Sequence, residues 1–470
     1  MITRSASDAG AAGPVRRAWC RRALVAVAAA SACAAVAGLL ATGPANAAPP
    51  VPTARGDNPY EGATVYVNPE WSANAATVPG GAAVADQPTA IWLDSLATLH
   101  GPDAQTGRTM KLADHLDAAR AQGADLVQLV LNNLPGRSCA REAGQGELAP
   151  GELDRYQREY VDTIVDIISD PAYAELRIVT VIEPDSLPNL VLHTGDRHDA
   201  TWLCQQVLES GDYVRGVGYA LAQLGELPNV YNYLDAGHHG RIGWDEDFMA
   251  VTDLMWRAAN TEGARSADVH GFAVNVANYS VLHEEYFTVD DVINDQPVLQ
   301  SRWVDWNSYV DELPFAEAVR KRFVRLGFDW DVGMLIDTSR NGWGGPERPT
   351  GPPDPDEQWW GVDDYVDSNR IDRRNSAAHW CNQTGAGLGE RPTASPEPGV
   401  DAYAWIKPPG ESDGSPEELP DAGGRQPDAM CDLYDDWDFE ETGALQGGGL
   451  SGDWFPAHFE QLLANAHPPL

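Results

Sequence analysis

Ile178-Val-Thr-Val-Ile-Glu-Pro-Asp-Ser-Leu-Pro-Asn-Leu190 is the stretch that decides the fold. Its opening residues are apolar and β-branched, the composition of a strand buried on both faces. Pro184 has no N–H to give a ladder, so the strand ends at Glu183. Two carboxylates, Glu183 and Asp185, are left at the carboxyl end of that strand, where parallel barrels carry their catalytic groups. A carboxyl at an apolar mouth can be held protonated and serve as a general acid. The same residues can instead cap the helix that follows, and the stretch by itself leaves both roles open.

Apolar runs of the same kind recur on either side, each stopping at a polar residue. They span residues 89–93 before Asp94, 126–131 before Asn132, 178–182 before Glu183, 230–234 before Asp235, 272–277 before Asn278, 332–336 before Asp337 and 402–406 before Lys407. Amphipathic segments of helical period lie between them, at 109–122, 151–169, 247–260 and 315–326. Strand alternating with helix means an α/β chain with a parallel sheet. Seven strands with polar residues at one end predict a distorted seven-stranded parallel β/α barrel. An open doubly wound sheet is the alternative, but no Gly-x-Gly-x-x-Gly follows any run. Residues 282–313, with Trp303, Trp306 and Tyr309, and residues 413–449, rich in Pro, Gly and Asp and holding Cys431, lack the rhythm. They are expected to be long loops roofing the active end. With no repeat and no Pro/Ser/Thr-rich linker, the chain reads as one domain.

The first residues belong to another argument. Arg16, Arg17, Arg21 and Arg22 precede an apolar run over 23–40, and Ala45-Asn46-Ala47 is a small-residue cleavage site. This predicts a secretory signal peptide over 1–47, a mature catalytic domain over 48–470 and a secreted protein. Cys20 and Cys33 leave with the leader; Cys139, Cys204, Cys381 and Cys431 remain, an even set that allows two disulfides in three connectivities. No Cys-x-x-Cys spacing suggests zinc. The chain has 32 basic against 70 acidic residues, a net charge of −38, and its only lysines are Lys111, Lys321 and Lys407. Removing the leader makes it more acidic still. Such a surface repels nucleic acid and anionic membranes and stays hydrated at high salt.

Sixteen tryptophans and fifteen tyrosines are many for this length, and Tyr66, Trp71, Trp244, Trp343, Trp359, Trp360 and Trp380 fall at strand ends or in loops. Aromatic faces beside carboxylates, Asn and His suit sugar rings, whose apolar faces stack while their hydroxyls take hydrogen bonds. His-Glu-x-x-His and a Walker loop are both missing. His238-His239 invites a metal reading, but adjacent histidines diverge, so sugar-contacting or core roles fit better; no metal and no cofactor is expected. Breaking a glycosidic bond takes an acid for the leaving oxygen and a second carboxylate to help water or attack. Asp185 and Asp413 lie at different strand ends and can face each other across a cleft.

Val181-Ile-Glu-Pro-Asp-Ser-Leu187 resembles the signature of glycoside hydrolase family 6, cellobiohydrolases and endoglucanases that cut β-1,4-glucan with inversion. The resemblance runs through Asn58-Pro-Tyr60, Leu134-Pro-Gly-Arg-Ser-Cys139, Tyr233-Leu-Asp-Ala-Gly-His238, Asn275-Val-Ala-Asn-Tyr279, Trp380-Cys-Asn382 and Trp405-Ile-Lys-Pro-Pro-Gly-Glu-Ser-Asp-Gly414. It implies a distorted seven-stranded barrel, Asp185 as catalytic acid and Asp413 as the base, directly or through water. It implies sugar contacts at Tyr66, Asn68, Arg137, Asp235, His238, Trp244, Asn278, Trp380, Lys407 and Glu411. It also implies disulfides Cys139–Cys204 and Cys381–Cys431. The two long segments resemble loops that roof the substrate tunnel in exo-acting bacterial members, which release cellobiose from non-reducing ends. A monomer acting on β-1,4-glucan is expected.

Four positions depart from that pattern. Arg-Asp-Cys of the family is Arg137-Ser138-Cys139 here, and Ser138 cannot carry the charge that keeps the acid protonated. Asn132 replaces a tyrosine, Gly144 a serine that helps hold the attacking water, and Arg241 a tryptophan platform. With Asp185 and Asp413 both kept, the resemblance implies sugar binding but leaves three activities open. These are a β-1,4-glucan hydrolase, a catalytically weakened glucan-binding member, and a hydrolase of a different β-linked polysaccharide.

Overall fold

A computed structural model describes residues 57–102, 107–354, 358–420, 425–434 and 441–470. The leader reading over 1–47 and the domain start at 48 lie outside the described residues. Strands follow in chain order as β1 (Ile91–Leu93), β2 (Leu126–Leu131), β3 (Arg177–Ile182), β4 (Val230–Asp235), β5 (Gly271–Val274), β6 (Val292–Ile293), β7 (Gln296–Pro297), β8 (Gly333–Asp337), β9 (Thr393–Glu397) and β10 (Val400–Ala404). Eight form one sheet in the order β1-β2-β3-β4-β5-β8-β10-β9. Every pairing from β1 to β10 is parallel. The sheet curls so that the residues flanking β1 and β10 meet, with the Ala90 N–H donating to the Trp405 carbonyl at 3.1 Å.

The seven expected parallel strands are present, and β9 is an addition that pairs antiparallel with β10. Its sequence, TASPE, contains proline and is largely exposed, so no apolar run announces it. Two strand ends also differ from expectation. The run at 272–277 stops at Val274, because Asn275 and Ala277 turn left-handed with φ of 61° and 55°. The run at 402–406 is paired from Val400 to Ala404 instead.

Period-two alternation divides the strands between two cores. Val130, Val181, Tyr233, Ala273, Leu335 and Ala404 fill the barrel interior. Leu129, Ile182, Leu234, Phe272 and Ile336 point outward under the helices. The helical segment expected over 151–169 runs through Leu153–Arg155, a π-helical Tyr156–Val161 and Asp162–Ile168. That wide turn brings both Tyr156 and Tyr160 fully inside, beneath the strand ends. The other three amphipathic segments form helices at Leu112–Gln122, Asp245–Ala258 and Glu312–Leu326.

The 282–313 segment is ordered by a small core of its own. Phe287, Val298, Val304 and Val310 pack there against Val362, Tyr365 and Val366 of helix Val362–Asn369. Disulfides join Cys139 to Cys204 and Cys381 to Cys431, the pairings that the resemblance implied. Among the described residues no helix is long and apolar enough to cross a membrane.

Candidate active site

At the end of β3 the chain turns left-handed twice, at Glu183 (φ 48°) and Asp185 (φ 61°), on either side of Pro184. Such backbone is costly for residues with a Cβ and persists only where its surroundings hold it. The result is that the two carboxylates part company. Glu183 turns inward and accepts from the backbone of Asn133 (3.1 Å) and Leu134 (3.3 Å) and from the Tyr156 hydroxyl (2.9 Å). Burial pushes it up to about 7, against the pull of those hydrogen bonds. Glu183 braces the ends of β2 and β3.

Asp185 opens into a cleft. It stands before helix Ser186–Leu192 but makes no side-chain capping bond, which leaves its carboxylate for other partners. Arg141 Nη1 reaches one oxygen at 3.3 Å and Arg241 Nη1 lies 3.8 Å from the other. Its own N–H donates to Asp235 Oδ2 at 2.8 Å. Asp235 is buried behind it, and burial together with the nearby Asp185 charge pushes Asp235 up to about 8.

Asp413 lines the same cleft in a different environment. Arg340 Nη1 lies 2.8 Å from both carboxylate oxygens, and the Tyr279 hydroxyl (2.6 Å) and Asn382 N–H (2.9 Å) donate to Oδ2. Burial pushes the carboxyl upward, but Arg340, Lys407 and Tyr279 outweigh it and hold Asp413 below the usual carboxylate range. One cleft thus holds an ionised carboxylate fixed by a buried arginine and a second carboxylate at the open mouth.

Trp380, Lys407 and Glu411 line the cleft as expected from their motifs. Lys407 and Glu411 stand 3.7 Å apart, and burial lowers the lysine while raising the glutamate. Arg137 is in the wall too, but four of its N–H groups are spent on the carbonyls of Asp94, Asn132, Gly144 and Gln145. It shapes the wall that a sugar would meet. His238 and Asn278 form a buried layer away from the cleft lining, joined at 3.0 Å and tied to Ser280 and Arg374. Burial and neighbouring cations keep His238 neutral. Its neighbour His239 diverges and bonds Glu312 at 2.7 Å.

Two expectations are corrected. Tyr66 is 1% exposed and bonds His115 Nδ1 at 3.0 Å, so its ring has no free face for a sugar. Asn68 caps helix Pro69–Thr77 through the Glu70 N–H. Trp71 and Trp343 are likewise core, their indoles donating to the carbonyls of Pro409 and Tyr279. Trp244 stands on a separate groove with Trp303 and Arg370.

Of the four departures, Asn132, Ser138 and Gly144 line the cleft. A Cβ on Gly144 would meet Ser138 Oγ at 2.4 Å, so the serine hydroxyl fills the room that the glycine leaves. Arg241 bonds Asn189 and His193 beside Asp185. Sequence reasoning missed Trp92, Asp94, Arg108, Arg141 and Arg340. Asp94 carried a signal, the polar residue ending the first apolar run, and Trp92 lies within that run. The arginines carried none.

Residues 57–466 match the model of the glycosyl hydrolases family 6. The chain belongs to glycosyl hydrolase family 6. Exoglucanase A of Cellulomonas fimi is 39% identical over 434 residues, which are 88% of this chain and 48% of that protein. The chain therefore spans about half the length of that relative. A probable 1,4-beta-D-glucan cellobiohydrolase C of Aspergillus niger is 33% identical over 90% of this chain and 81% of its own length. Among solved structures, the catalytic domain of Cellulomonas fimi Cel6B superposes with a TM-score of 0.82 at 39% identity, covering 89% of this chain and 97% of that one. Cellobiohydrolase II of Humicola insolens, in complex with glucose and cellotetraose, gives 0.65 at 29% identity over 88% of this family 6 chain and all (100%) of that one.

Proposed function

We propose that this family 6 chain is a secreted monomeric hydrolase of β-1,4-glucan, acting with inversion and releasing cellobiose from non-reducing ends. Its leader covers 1–47 and one catalytic domain 48–470. Asp185 protonates the departing glycosidic oxygen. Asp413 takes the proton of the attacking water, directly or through a second water. Trp380, Lys407 and Glu411 hold the sugar; Arg137, Asp235, His238 and Asn278 position the walls, and Trp244 extends the binding track.

The observation that carries this reading is the contrast between the two carboxylates. A general base must be ionised and a general acid must be free to meet the leaving oxygen. Asp413 is locked in its charged form by Arg340, while Asp185 stands 28% exposed at the mouth. The family match, and relatives named an exoglucanase and a probable cellobiohydrolase, support a glucan hydrolase.

A second reading, a weakened glucan binder, is favoured by one specific observation. Asp185 is shared by two arginines and faces the neutral Ser138. Product analysis on cellohexaose and amorphous cellulose over a long incubation separates the two. Cellobiose as the main soluble product, with inverted anomeric configuration, supports the hydrolase. Binding without product supports the binder. Turnover of another β-glucan in preference to cellulose would move the substrate and keep the mechanism.

A further inference from the structure

Arg141 stands in the cleft wall with most of its hydrogen-bonding capacity unspent. One Nη1–H reaches Asp185 at 3.3 Å, and among the described residues the side chain forms no other hydrogen bond. Its guanidinium lies 4.7 Å from the centre of the Trp380 ring, on a platform where a sugar would stack, and its side chain is 19% exposed. Arg137, in the same wall, is consumed by carbonyls, and Arg108 is taken by Asp94 and Glu411. Arg141 is therefore unlike Arg137 and Arg108, because among the described residues most of its N–H groups have no partner.

Arg241 adds to the effect. It lies 3.8 Å from the other oxygen of Asp185 and its buried Nε has no partner. Burial and the charge of Asp185 push neighbouring Asp235 up to about 8. Two guanidiniums thus share one carboxylate, which leaves an excess of positive charge on this wall in a chain whose net charge is −38. An arginine fork beside an aromatic face is the geometry that recognises a planar carboxylate, by two parallel hydrogen bonds in a partly dry site. A pair of neutral hydroxyls could occupy both arms of the fork but would not use the excess charge.

We propose that Arg141, supported by Arg241, binds a carboxylate on the sugar beside the scissile bond, so that the preferred substrate is a carboxylated β-1,4-glucan. This rests on the hydrolase reading above and narrows its substrate class. The carboxylate has two chemical sources, a C6-oxidised (uronate) unit within the chain or a C1-oxidised (aldonate) unit at its end. The general acid lies against the departing chain, so the guanidinium that touches Asp185 reaches the leaving-group side.

The test compares kcat/KM on cellohexaose with that on cello-oligosaccharides oxidised at C6, and kcat/KM on cellotriose with that on its terminal aldonate, whose oxidised unit directly follows the bond that releases cellobiose. At least one carboxylated probe should exceed its neutral counterpart by about tenfold, equivalent to ~1.4 kcal/mol. The better probe identifies the source. The preference should shrink at high salt. Arg141→Gln should bring the ratio close to one, and Arg141→Lys, a point charge without a fork, should keep part of it. Because the readout is a ratio within one variant, a general effect of the substitution on Asp185 cancels. Equal or poorer turnover of both carboxylated probes, with cellohexaose still cleaved, overturns this proposal and leaves the hydrolase reading standing. A preference that survives Arg141→Gln overturns it too. If no probe is cleaved, the hydrolase reading fails, and calorimetric affinities decide. Tighter binding of a carboxylated probe, lost in Arg141→Gln, supports the site, and equal affinities reject it.

Discussion

Arg340→Met tests the electrostatic core of the cleft. Arg340 is fully buried and its partner Asp413 is 7% exposed, with both carboxylate oxygens 2.8 Å from Nη1. The guanidinium also lies 4.1 Å from the centre of the Tyr279 ring and donates to the Ala277 carbonyl. Methionine fills similar space without charge, leaving Lys407 as the main remaining cation beside a buried carboxylate. Breaking a buried pair from one side costs about 3–5 kcal/mol, and that loss is expected in urea unfolding at pH 7. The pH dependence has a definite sign. Asp413 is held below the usual range in the native state, so its contribution is present above the unfolded carboxyl value of about 3.9 and is lost as pH falls through the lower native one. The difference between wild type and variant should therefore shrink below about pH 4. Adding Asp413→Asn should restore part of the loss, because the two changes are coupled. A cost under about 1 kcal/mol at pH 7, as for an exposed pair, or strict additivity in the double variant, would refute the reasoning.

Asp185→Asn should cost about 10²–10⁴-fold in rate on unactivated glucan and less on substrates with good leaving groups; equal loss on both kinds would argue against an acid role. Ser138→Asp should raise the rate on glucan by about tenfold, ~1.4 kcal/mol of barrier, and a flat result would point to Asn132 and Gly144. Reducing the disulfides, which close loops with sequence separations of 65 and 50, should lower the melting temperature, each being worth about 2–4 kcal/mol, and non-reducing peptide mapping should return only the two pairings described. Glu284 is buried, accepts from the Ile371 and Asp372 N–H groups and is pushed up to about 8 by burial, with Asp372 and Asp311 adding to it. Its stabilising share is full below about 4.5 and is lost as pH rises to about 8, so the melting temperature should fall across that window, and Glu284→Gln should flatten that fall.

Local chemistry was legible without a structure. Apolar β-branched runs have one stable use in a chain of this kind, as buried parallel strands, and proline after Glu183 stops β3 where it must stop. That alone placed Asp185 at a strand mouth, and the even cysteine set announced two disulfides. The amphipathic segments appeared as helices for the same reason, since a period of 3.6 residues needs no distant partner to be recognised. Side-chain direction was another matter. Tyr66 and Trp380 both looked like platforms, and only packing buries the first against His115 and leaves the second in the cleft. Glu183 and Asp185 are two residues apart, yet left-handed backbone and the Tyr156 hydroxyl send one inward and the other out. The cations that govern the site come from far along the chain. Arg340 is 73 residues from Asp413, Arg141 is 44 from Asp185, and neither spacing follows a helical or strand period. Charges at such separations meet only because the curled sheet brings its strand ends to one mouth, and low-dielectric burial then decides which carboxylate stays ionised.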